Sequence, residues 1–100
     1  MNNKKLSGLK KELAGLRKSA GGISPQILVS IARKLGRKKF TGRGKEPTYI
    51  REEDPYLTPL SIPGHKKDLK TGTAISIIDT LLSDVDEWEI KLMGVNNDES

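Results

Sequence analysis

The sequence predicts a small α+β domain, and three observations carry that prediction. Apolar residues recur at helical steps of three and four along Leu6–Leu16, Ile27–Leu35 and Ile75–Leu82. Between the second and third of these stretches lie short strand-like runs separated by turns rich in glycine, proline and acid, the signature of an antiparallel meander. With 100 residues, 34% apolar and 4% aromatic, the chain has material for one modest core, and its stability is expected to lean on a partner or on oligomerisation.

In chain order, residues 1–6 read as polar and frayed. Leu6, Leu9, Leu13 and Leu16 form a narrow stripe on a short helix whose other faces carry Lys10, Lys11, Glu12, Arg17 and Lys18. Such a helix either packs on its own domain or reaches out to RNA or another protein. Gly8 and Gly15 each cost it roughly 1 kcal/mol relative to alanine, so docking must help it form. Ser19–Gly22 reads as a linker, and residues 1–22 as an N-terminal basic extension.

Ser24-Pro25 announces the next helix, with serine as N-cap and proline in the first turn. Ile27, Leu28, Ile31 and Leu35 share one face, and Gly36 supplies the stop. A basic cluster follows: Arg33, Lys34, Arg37, Lys38 and Lys39, then Arg43 and Lys45. Phe40–Gly44 reads as a strand entering a tight turn, Pro47–Arg51 as a second strand, and Glu52–Pro55 as an acidic turn. Leu60 and Ile62, two apart, face one side of a third strand that Pro63 ends.

The only histidine, His65, follows among lysines, with Lys66 and Lys67 directly after it. Thr71 or Thr73 can cap a helix from about Gly72 to Leu82. Ser83 with Asp86 then suggests a capping box opening a further acidic helix, with Val85, Trp88 and Leu92 on one face. Trp88 is expected to be buried, on the domain or at a protein interface. Residues 83–100 thus form an acidic C-terminal helix and tail, and residues 23–82 the central domain.

Charge is segregated along the chain. Residues 1–50 hold 13 Lys and Arg against Glu12 and Glu46, whereas residues 51–100 hold 5 against 11 acids. The first half would draw a polyanion; the second would draw a basic partner or the first half itself. The absence of cysteine excludes disulfides, thiolate metal sites and a cysteine nucleophile, and one histidine makes a zinc site within one chain unexpected. No metal and no cofactor is anticipated. No apolar run approaches the roughly 18–20 residues of a membrane span, and no signal-peptide core follows Met1. The expectation is a cytoplasmic protein without a membrane partner.

The stretch Pro63-Gly64-His65, Asp68-Leu69-Lys70 and Gly72-Thr73 resembles the last strand, Pro-x-His turn and final helix of the HicA (YcfA-like) toxins of type II toxin–antitoxin pairs. The resemblance covers roughly Ser24 to Leu82. It implies a double-stranded-RNA-binding-like α-β-β-β-α core, here with an extra helix at each end. It also implies action on mRNA as a metal-independent endoribonuclease, and a HicB-like antitoxin as partner. The family's catalytic histidine stands in a Gly-Ser-His motif after the first strand, where an imidazole titrating near pH 6.5 can move protons. Here Gly44 matches, Tyr49 stands where the family often has an aromatic, and Lys45 and Glu46 replace serine and histidine.

Catalysis on such a chain falls to Glu46 as base, Lys45 and Arg43 as charge stabilisers, and His65, which matches the family's second histidine, as acid. Lys45 and Arg43 favour ionised Glu46, which makes it a weak base. RNA contacts are expected from Arg37, Lys38, Lys39, Arg43, Lys45, Lys66 and Lys67. Three functions remain open: a toxin that cuts mRNA, a non-catalytic RNA-binding module on the same scaffold, and an interaction subunit docking through the helix around Trp88. Lys45-Glu46 as ordinary solvated turn residues, and His65 as a structural histidine, stand beside the catalytic roles.

Overall fold

The computed structural model describes residues 2–40, 47–51, 57–64 and 67–97, with side chains as far as Met93. Among these residues, three helices and one sheet follow in the order α1 (Asn3–Lys18), α2 (Pro25–Lys34), β1 (Lys38–Phe40), β2 (Thr48–Ile50), β3 (Leu60–Ser61) and α3 (Thr71–Asn97). The sheet is antiparallel with strand order β1-β2-β3, so the protein is α+β. Among the described residues, no helix is long and apolar enough to cross a membrane.

Helix α1 starts earlier than the polar N-terminus suggests, because the Asn2 side chain accepts a hydrogen bond from the Lys5 N–H at 2.8 Å. Its Leu6, Leu9 and Leu13 are buried against the common core, worth about 1.5–3 kcal/mol per fully buried side chain. The helix thus packs on its own domain, with its lysines exposed on the other faces. Lys10 meets Glu89 at 3.6 Å and Arg17 meets Asp79 at 2.8 Å. As numbering rises along α1 it falls along α3, so the two helices run antiparallel and the basic half of the chain faces the acidic half.

Helix α2 has Ser24 as N-cap residue and Pro25 in its first turn, but the serine side chain makes no capping bond. Leu28, Ile31, Ala32 and Leu35 are buried while Ile27 is exposed, so the buried face is rotated toward Ala32 and away from the predicted Ile27. Gly36 ends the helix at φ +94, a conformation that favours glycine.

Helix α3 differs most from expectation. Thr71 and Thr73 lie within its first turn instead of preceding it, and the helix runs unbroken to Asn97 with no restart at Ser83. The physical reason is phase. Ala74, Ile77, Ile78, Leu81 and Val85 are all buried, with Trp88 and Leu92 packed on the same core. The step from Leu81 to Val85 is four, so the stripe crosses Ser83 without slipping, and no glycine or proline intervenes. The extra C-terminal helix is therefore the second half of α3.

Alternation fixes the faces of the sheet. Tyr49 and Leu60 turn inward and are buried, and Lys39 shares their side through its pairing with Tyr49. Lys38, Phe40, Thr48, Ile50 and Ser61 face outward. The first strand includes Lys38 and Lys39 and does not begin at Phe40, so the basic cluster is itself part of the sheet edge.

Candidate nucleic-acid interface

A groove of about 580 Å³ runs between α2 and the inner side of the sheet edge. One wall is the α2 face formed by Gln26, Val29, Ser30, Arg33 and Lys34, positions spaced so that they stack along one side of a helix. The other wall carries Lys39 and Tyr49, and Pro47, Pro63 and Gly64 close the end. Arg33 and Lys34 are exposed where the helix finishes, where cations also complement the helix dipole. No ion pair joins Arg33, Lys34 or Lys39 to an acid among the described residues. The groove therefore presents positive charge that no described acid pairs with, next to polar groups able to donate hydrogen bonds, which suits phosphate.

Its closed end is built tightly. The Ile62 N–H donates to the Pro47 carbonyl at 3.3 Å. A Cβ placed on Gly64 would sit 3.4 Å from Pro47 Cγ, an ordinary van der Waals contact. The ends of β2 and β3 are thereby held side by side.

The expected RNA-contacting residues divide into groups. Lys38, Lys39 and Lys67 are exposed, and of these Lys39 lines the groove. Arg43, Lys45, Glu46, His65 and Lys66, which include every residue given a catalytic role above, lie outside the described residues.

Arg37 belongs elsewhere. It is 1% exposed, which removes its guanidinium from the cationic surface. Nε donates to Asp84 Oδ2 at 2.6 Å and Nη2 to Asp84 Oδ1 at 2.9 Å. Nη1 donates to the Tyr49 carbonyl at 2.8 Å and the Thr58 carbonyl at 3.0 Å. The planar fork thus ties α3 to β2 and to the segment entering β3. A signal for this was present in the sequence. Asp84 falls among Leu81, Val85 and Trp88 on the inward face of α3, and an acid there requires a buried cation. Arg33, Lys34, Gln26, Ser30 and Tyr49 were outside the expected contact set, although Arg33 and Lys34 belong to the same basic cluster.

Arg51 is a second buried arginine, in a different setting. Its guanidinium lies 4.4 Å from the centroid of the Trp88 ring, a cation–π contact. Among the described residues no acceptor meets its Nη1 or Nη2. Trp88 itself is half-buried and donates through Nε1 to the Leu35 carbonyl at 2.8 Å, so it packs on its own domain at the end of α2. No group of three or more His, Cys, Asp or Glu among the described residues is arranged to hold a metal ion.

No protein-family model matches this chain, and neither a curated protein nor a solved structure matches it.

Proposed function

We propose that the protein is an RNA-binding member of the HicA-like toxin type, directed at mRNA, on a double-stranded-RNA-binding-like α-β-β-β-α core to which α1 is added. The observation that carries this reading is the groove between α2 and the sheet, whose Arg33, Lys34 and Lys39 have no compensating acid among the described residues. Binding is the principal activity and cutting is weak or absent, because Lys45 and Glu46 stand where the family pattern has serine and histidine. If the chain does cut, Glu46 is the base, Lys45 stabilises charge and His65 is the acid. A HicB-like antitoxin is the protein partner this reading implies.

The test is binding of a long mRNA across a salt series. Reversing charge at Arg33, Lys34 and Lys39 together should weaken binding at least tenfold. It should also lower the slope of log K against log salt by about two, at about 0.7 per phosphate contact for single strands. Reversal at Lys91, in the second half of α3 and not a lining residue of the groove, should change neither. Equal losses from both sets would dismiss the groove as the footprint. Incubation of the same mRNA with the native chain, Glu46→His and His65→Ala reads the cutting. Efficient cleavage by the native chain that survives loss of both Glu46 and His65 would overturn the assigned roles.

A further inference from the structure

The outer face of the sheet is a separate surface from the groove, and its composition is specific. Strand pairing sets Phe40 opposite Thr48 and Thr48 opposite Ser61, in one row across all three strands. Because Tyr49 and Leu60 turn into the core, this row points away from the helices. Phe40 is 55% exposed, an aromatic ring left uncovered in a chain with a single phenylalanine. The Thr48 hydroxyl stands beside it and that of Ser61 one strand further along the row, and none of the three described strands contains an acid.

We propose that this outer face, centred on Phe40, stacks an unpaired nucleobase of an RNA strand whose phosphates lie along Arg33, Lys34 and Lys39. The inference rests on the RNA-binding reading above and adds the form of the ligand. A phenyl ring offers a π-face to any base, and Thr48 and Ser61 offer hydroxyls for a base edge or a ribose 2′-OH. Lys39 and Phe40 are consecutive residues of the edge strand β1 and point to opposite sides of it. A nucleic-acid strand crossing that edge brings a phosphate to one side and a base to the other. A duplex cannot do this, because its bases are stacked inward on one another, so the ligand is single-stranded.

A second copy of the chain is the competing occupant, and the surface argues against it. Lysines at 38 and 39 on an edge strand, which has no second partner strand among the described residues, oppose strand-to-strand pairing. Lysine is also depleted from the centres of protein interfaces, and among the described residues of the strands' outer face half-buried Ile50 is the one apolar side chain besides that ring.

The experiment compares the full-length native chain with Phe40→Ala, Phe40→Leu and Phe40→Tyr. The probes are a labelled single-stranded RNA of mixed sequence and a blunt RNA duplex of equal length. Phe40→Ala and Phe40→Leu should both weaken single-strand binding about five- to 150-fold, the range given by loss of one base–aromatic stack. Phe40→Tyr should bind as the native chain does. The salt slope should be unchanged in all three, because no phosphate contact is removed. Duplex binding should be equal across the set. Native single-strand affinity in Phe40→Ala would overturn the stacking site while leaving the groove intact. Retained affinity in Phe40→Leu would reduce the ring to an apolar contact and overturn stacking as well. A native dimer that becomes a monomer in Phe40→Ala would give the face to a second copy. Absence of RNA binding by the native chain at low salt would overturn both readings together.

Discussion

The seam between α1 and α3 and the groove between α2 and the sheet use the same kinds of residue to opposite ends. In the seam, Lys10 and Arg17 meet Glu89 and Asp79 across two antiparallel helices. The chain's basic first half is there neutralised by its acidic second half. In the groove, Arg33, Lys34 and Lys39 converge with no acid to answer them among the described residues. A lysine-rich sequence does not by itself distinguish these two uses. What separates them is the neighbour: the α1 cations face the acidic α3, whereas the groove is lined by α2, the sheet and the Pro63–Gly64 end, without a residue of α3.

The largest expected effect lies between the two regions, where Arg37 and Asp84 hold α3 to the sheet. Replacing Asp84 with asparagine leaves a buried guanidinium without its counter-charge and should cost about 3–5 kcal/mol in denaturant unfolding. Arg37→Met together with Asp84→Leu removes both charges and should recover most of that loss. Similar losses from the single and the double variant would show that the hydrogen bonds to the Tyr49 and Thr58 carbonyls, and not the ion pair, hold the joint.

These two buried residues also mark where the sequence was legible and where it was not. Helical periodicity located α1, α2 and the first half of α3, because a stripe of Leu and Ile at steps of three and four has few other interpretations. It failed at Ser83, where a capping pattern outweighed the continuous phase from Leu81 through Val85 to Trp88. It also failed at Ile27, an apolar residue one position off the true buried face. Arg37 was read as part of a charge run, since a run carries no sign of which member turns inward; the acid that claims it lies 47 positions away. The groove was only half legible, because Lys39 and Arg33 become neighbours only once β1 is laid beside α2.

A smaller effect sharpens the contrast by changing the seam alone. Gly8 and Gly15 sit inside α1, and a Cβ at either position meets no atom within 4 Å. Nothing in the packing requires glycine there. Alanine at each should stabilise the protein by about 0.5–1 kcal/mol through helix propensity, read as a higher melting temperature. RNA affinity and its salt slope should not change, since α1 is not a wall of the cationic groove. Loss of RNA binding in the more stable Gly8→Ala, Gly15→Ala protein would extend the interface onto α1 and blur the two uses of charge.

The smallest effect is expected from the Arg17–Asp79 pair, and its smallness is informative. Both side chains are about half exposed, so water and salt screen their attraction and an isolated pair of this kind adds little. Asp79 holds the Arg17 guanidinium above its ordinary value, by its hydrogen bond first and by its charge second. A folded-state value raised in this way contributes stability that is fully present below the unfolded value and fades only as pH climbs through the folded one. For arginine that window lies in strong alkali. Titration of Arg17 therefore adds no pH dependence to unfolding across the neutral and mildly alkaline range. Asp79→Asn should leave the melting temperature nearly unchanged, and the same holds for Arg17→Gln. The double variant should equal the sum of the two singles once salt is raised. A marked loss in either single variant that persists at high salt would mean that the pair, and not the leucine stripe of α1, locks the helices together. The neutralised seam would then be a structural clamp, and the division between it and the open groove would be one of strength as well as of sign.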